Sequence, residues 1–256
     1  MHAKSFSPRV FVKRAGVLAL YLALWALAAR AVGQPLLLPG PGAVAARWLS
    51  LAPQAAFWQT LLATLSRTAL SYALGVLTAV LLGALCCRFP LAEMALSPLL
   101  SAIRATPVTS FIVLALVWLH SSRVPVLTGF LMTLPIVYSA VTQAVRELDP
   151  KLLEMARAYR LGRLGTLRHV VFPAVLPAFA QSCLAAIGLC WKAVVAAEVI
   201  GVPKLAVGSR LYEAKIYLET DSMLAWTLTI VLLSVALESV LRRTIAPVIR
   251  SEVRHD

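Results

Sequence analysis

Charged side chains inside apolar runs come first, because each is costly in a lipid interior and needs water or protein around it. Lys192 and Glu198 bracket the end of one such run. Six residues apart, they lie on largely different helix faces and are not a local ion pair. Lys192 has two readings. It lines a solute path, where its ammonium attracts an anion, or it snorkels to an interface or is answered by another helix. Arg104, close to Pro107, packs a kinked helix or lines the same path. Glu238 and Arg242 stand at i and i+4 and are placed to pair structurally.

The second chemistry-bearing stretch is "KLLEMARAYRLGRLGTLRHVVFPAVLP", Lys151 to Pro177. Asp149 is a good N-cap and Pro150 suits the first helical position, so a helix starts there. Leu152, Met155, Ala156 and Tyr159 recur at helical spacing, and Glu154 and Arg157 at i, i+3 can pair. Gly162 is the expected stop, and a new apolar span opens at Phe172-Pro173. The helix has an apolar side and a charged side. That pattern fits an interfacial helix on anionic lipid or a docking helix that fills a groove on a soluble partner. Periodicity leaves the two open.

Other chemistry is absent from the sequence. There is no G-x-x-x-x-G-K-[ST] phosphate loop; "GRLGTLRH" lacks the Lys-Ser/Thr pair that reaches phosphate and magnesium. No H-E-x-x-H motif occurs, and His2, His120, His169 and His255 have no ligand spacing. "VGSRL" around Ser209 lacks the glycines of a nucleophile elbow. With no catalytic constellation, the chain is read as a non-enzyme that binds no cofactor or metal.

These residues must be positioned by membrane helices. The chain has 256 residues, 60% of them hydrophobic and only 14% charged. Ala69–Cys87, Val124–Val145 and Val170–Trp191 carry no charge at all, and each approaches or exceeds the roughly 20 residues that cross a bilayer as a helix. Six spans are expected: about 15–32, 60–87, 91–119 (interrupted by Pro98 and Pro107), 124–145 (kinked at Pro135), 171–200 and 222–241. Between the first two, "GQPLLLPGPGAVAARWL" cannot be regular helix throughout. Trp25, Trp48, Trp58, Trp118, Trp191 and Trp226 fall mostly near span ends, where interfacial anchors sit. The four cysteines make no disulfide framework and read as small apolar fillers. Basic Lys4, Arg9, Lys13 and Arg14 before an apolar run, with "ALA" at 26–28, resemble a signal sequence with cleavage near residue 28, but an uncleaved first span is preferred.

The net charge of +13 resolves into topology. With the N-terminus inside, fifteen Lys and Arg fall on the cytoplasmic side and six on the outer side. The positive-inside rule then places both termini and the Lys151–Pro177 loop in the cytoplasm. Because the charges lie between spans, membrane topology explains them and no nucleic-acid partner is expected.

The residues of the loop then carry a resemblance. Glu154-Met155-Ala156, followed nineteen residues after the Glu by Pro173 in "VVFPAVLP", resembles the shared cytoplasmic loop of permease subunits in binding-protein-dependent ABC importers. "LLLPGPGAV", "FWQTLLATLSRTALSYALG", "IRATPVTSFIVLALVW" and "WKAVVAAEVIG" resemble the nitrate/sulfonate/taurine branch in the right order. Met155 replaces the family's first Ala, and Arg160 stands where its Gly would be.

The resemblance implies an all-α integral membrane fold of the type I importer permease kind. One transmembrane domain would cover 1–256, with a core of about 58–241, a first span and Pro-rich extracytoplasmic segment over 1–57, and a coupling loop at 149–170. It implies that Glu154, Met155, Ala156, Arg157, Arg160, Gly162 and Pro173 form the coupling region, inserted into a cleft on an ATPase subunit. It places Glu198 near the outer gate, in a gating or structural role. The implied partners are ABC ATPase subunits, which carry ATP and magnesium, an extracytoplasmic solute-binding protein, membrane lipid and a second copy of the chain. The setting is a prokaryotic inner membrane, and the solute is small, such as a sulfonate or nitrate anion. The rival is an ion-coupled secondary transporter or channel, which needs no ATPase; inverted repeats would favour it, and none is evident. A third class is a membrane scaffold or assembly factor, separable by whether an ATPase co-purifies through the Glu154 loop.

Overall fold

The computed structural model describes residues 8–252. Lys4, Arg254, His2 and His255 lie outside them, as do the side chains of Arg9, Lys13, Arg14 and Arg250. The described elements are helices: α1 (Pro8–Val32), α2 (Pro41–Leu51), α3 (Ala55–Arg88), α4 (Pro90–Ala105), α5 (Val108–Trp118), α6 (Val124–Arg146), α7 (Pro150–Ala158), α8 (Arg163–Thr166), a π-helical turn Leu167–Val171, α9 (Phe172–Gly201), α10 (Val207–Ile216) and α11 (Thr220–Glu252). Five stretches among them are long and apolar enough to cross a membrane, and the bent pair α4 and α5 makes a sixth if counted as one span.

That pair refines the expected third span. Pro98 lies inside α4 without ending it, so only Pro107 breaks the helix. Thr106, before Pro107, is extended at φ −82° and ψ 130°, as the ring of a following proline demands. The two helices meet at 105°. α6 continues as one element through Pro135.

The chain forms two compact units. The first holds the residues up to Trp58 with Arg210–Thr229. Gly33, at φ +66°, follows α1, and the Pro-rich segment stays irregular until Pro41 opens α2. Arg47 pairs with Glu219 at 2.8 Å, Trp48 Nε1 donates to Thr229 Oγ1 at 3.1 Å, and the Thr220 hydroxyl donates to the Leu36 carbonyl. The Trp226 ring lies 5.1 Å from that of Phe57. Trp48 and Trp226 are therefore packed within this unit rather than standing free as interfacial anchors. Trp191, in the second unit, is also core, at 1% exposure. Trp58 and Trp118 are exposed.

The second unit holds Gln59–Ser209 and the residues from Ile230 onward. Its core is a close crossing of α3, α6 and α9. Small residues make it possible, since without a water-driven hydrophobic term membrane helices associate mainly by close packing. A Cβ on Gly129 would lie 2.6 Å from Ser71 Oγ and 2.8 Å from Val194 Cγ2. One on Gly75 would lie 2.6 Å from Thr133 Cβ. Thr60, Thr64, Thr68 and Ser71, spaced by three or four, form a buried polar stripe on α3. Thr68, Ser71 and Thr133 each donate to a backbone carbonyl three or four residues back, so hydroxyls inside the packing are answered locally. Glu93 on α4 pairs with Arg146 at the end of α6.

Candidate functional site

The loop between α6 and α9 is built from its caps. The Asp149 carboxylate accepts from Lys151 N at 2.9 Å with Pro150 opening α7, as the sequence pattern requires. The other end differs from expectation. Leu161 N donates to Ala156 O and Arg160 N to Arg157 O, each at 2.9 Å, and Arg160 is left-handed at φ 53°. This is a Schellman stop with Arg160 in the place that normally takes glycine. Gly162 does not end α7; at φ −64° and ψ 169° it caps the N-terminus of α8.

One face of α7 is anchored and the other free. Ala156 is 1% exposed, which explains a small residue there. Glu154, Met155, Arg157, Tyr159 and Arg160 are exposed. Among the described residues Glu154 and Arg157 form no ion pair, contrary to their i, i+3 spacing. Pro173 follows the π-helical turn in a run that stays helical from Arg163 to Gly201, so its missing N–H falls inside a continuous helix, next to the turn that loosens the ladder there.

Glu198 is the second centre, and it is fully buried at 0% exposure. Its carboxylate accepts from Arg67 Nη1 at 2.9 Å, from Thr64 Oγ1 at 3.0 Å and from Gly208 N at 3.2 Å. Arg67 also donates to Leu205 O and Lys204 O, each at 3.0 Å, and Thr64 Oγ1 accepts from Val207 N at 3.0 Å. The loop after α9 is thereby clamped to α3. It needs the clamp, because Val202 and Leu205 are left-handed at φ 44° and 49°, and non-glycine residues hold that conformation only when their surroundings insist. Gly208 is equally constrained: a Cβ there would lie 2.6 Å from Glu198 Cβ and 2.7 Å from Val195 O.

The remaining charges separate. Arg104 is exposed and donates to Ser139 Oγ on α6 at 3.1 Å. Lys192 is exposed and, among the described residues, has no partner. Glu238 and Arg242 do not form their expected pair. Sequence reasoning missed Arg67, Thr64 and Gly208. The available signal was a Thr/Ser stripe beside an arginine inside an apolar helix.

The family model described as the inner membrane component of binding-protein-dependent transport systems matches residues 71–245, which include α7, Lys192 and Glu198. The chain belongs to this family. It is thus a multi-pass inner-membrane permease component of an ABC importer, a transport subunit rather than an enzyme, with ATP hydrolysis on a separate subunit. The permease is 28% identical to the taurine transport system permease protein TauC of Escherichia coli, over 89% of this chain and 85% of that one. It is 27% identical to the putative aliphatic sulfonates transport permease protein SsuC of Escherichia coli, over 78% and 76%. It is 29% identical to the nitrate import permease protein NrtB of Leptolyngbya laminosa, over 57% and 53%. The permease also shares its fold with an inward-facing MetNI methionine ABC transporter, at a TM-score of 0.58 and 18% identity, covering 75% of this chain and 93% of that one.

Proposed function

We propose that the permease forms, as a pair of identical copies, the path for a small solute such as a sulfonate, delivered by a solute-binding protein and driven by ATPase subunits docked on α7. The observation that carries this reading is the geometry of α7. It is a short helix closed at both ends, anchored through Ala156, with Glu154, Met155 and Arg157 exposed. An exposed face on a rigid, short helix is what a partner's groove can grip and move. One such helix per chain engages one ATPase subunit, which favours two copies. The positive-inside bias supports a cytoplasmic α7 and cytoplasmic termini, and exposed apolar side chains on α1 such as Leu18, Leu20 and Tyr21 suit lipid contact. The chain contributes no bond chemistry. Its work is to present different contacts in two states, so that ATP binding on the partner shifts the balance between them. ATP and magnesium stay on the partner. The Arg67–Glu198 clamp serves as a fixed brace near the outer end of the path.

The test is solute uptake into proteoliposomes holding the permease, its ATPase and its binding protein. Uptake is expected to require ATP, to stop with orthovanadate and to survive ionophores. Uptake that proceeds without ATP and collapses with the ion gradient would make this an ion-coupled carrier.

A further inference from the structure

Two opposite charges share one face of the second unit with nothing to answer them. On α9, Gln181, Ala185, Gly188 and Lys192 recur at spacings of four, three and four, so they lie on one face. Gln181, Ala185 and Lys192 are exposed. Glu238 of α11 is also exposed, and a Cβ on Gly188 would lie 3.0 Å from its Oε1. Lys192 is one helical turn from Gly188, about 6 Å along the axis. Neither Lys192 nor Glu238 has a hydrogen-bond or ion-pair partner among the described residues.

The contrast with Glu198 is informative, because there the carboxylate is closed off by Arg67, Thr64 and Gly208. Here both charges stay open, on helices otherwise apolar enough to span a bilayer. Facing lipid, each would be costly, so this face meets water or protein. Ala185 and Gly188 place no bulky side chain between Gln181, Lys192 and the carboxylate.

We propose that Lys192 and Glu238, with Gln181 further along the same face, form a subsite on the transport path for a small zwitterion. The Lys192 ammonium takes the solute's anionic group, and the Glu238 carboxylate takes its ammonium. The inference rests on the permease reading above and adds to it that this face lines the path. A bare anion drawn to Lys192 meets a carboxylate one turn away, and a bare cation drawn to Glu238 meets the lysine. Only a solute carrying both charges satisfies both residues, and it adds no net charge to a poorly solvating site.

The measurement is calorimetric titration of the permease–ATPase assembly in nanodiscs, without binding protein. The probes are taurine, ethanesulfonate (anion only) and ethylammonium (cation only). Taurine is expected to bind at least about tenfold more tightly than either analogue. Lys192→Met and Glu238→Gln should each weaken taurine by about tenfold or more, and Glu238→Gln should erase its advantage over ethanesulfonate. Taurine binding that is absent, no better than ethanesulfonate, or unchanged in both variants overturns the subsite. So does a pair in which each variant loses assembly and the swap Lys192→Glu with Glu238→Lys restores it, because the charges are then a structural pair. Failure of the permease reading registers separately, as wild-type chain that does not retain the ATPase; the same titration is then read on the chain alone.

Discussion

At the scale of single residues, the buried Glu198–Arg67 pair decides most. The pair as a whole gains little over an apolar substitute, but half of it alone leaves a buried charge unanswered. Arg67→Ala strands the carboxylate and also frees two carbonyls, at Lys204 and Leu205, that hold a left-handed loop. The expected loss is about 3–5 kcal/mol, read as a drop in thermal midpoint in detergent. Adding Glu198→Gln to Arg67→Ala should recover part of that loss, since the amide keeps the shape and removes the orphan charge. Strictly additive losses in the double variant would show that the two side chains act independently.

At the scale of elements, α7 carries a strain its sequence does not need. A left-handed L-residue costs about 1–2 kcal/mol, and Arg160 bears it at an exposed helix stop. Arg160→Gly should therefore stabilise the α7 C-terminus by about 1 kcal/mol. The check is slower amide exchange at positions 160 and 161, the two backbone donors of the stop. Faster exchange would mean that the arginine side chain holds the turn by contacts of its own. The N-terminus of α7 was legible in the sequence because an Asp-Pro cap is local chemistry. The C-terminus was misplaced at Gly162 for an equally physical reason: glycine is the cheapest left-handed residue, not the only one. Pro107 announced a break in the third span, but its 105° bend depends on what α4 and α5 pack against. Glu198 was visible as an odd charge, whereas its side-chain partners Thr64 and Arg67 lie more than 130 residues away on α3, beyond the reach of any spacing rule. Glu238 and Arg242 had ideal spacing and still do not pair, because spacing permits an exposed contact without enforcing it.

At the scale of the whole molecule, the exposed helix α7 and the spanning core belong to the same compact unit. Within the second unit, a rigid crossing of α3, α6 and α9 is pinned by glycines and buried hydroxyls. α6 leads directly into α7, and α8 with the π-helical turn leads from α7 into α9, so α7 is tied on both sides to members of that crossing rather than hung on a slack loop. That makes α7 the proposed point of energy transfer. The most direct test is co-purification of the ATPase with the permease, together with ATP-dependent uptake, for wild type, Glu154→Lys and Arg157→Glu. Both variants are expected to insert and fold as wild type, because both side chains are exposed and neither is paired among the described residues. They should retain at least about tenfold less ATPase and lose uptake in proportion. Variants that keep full ATPase association and full uptake would contradict the assignment of α7 as the docking element.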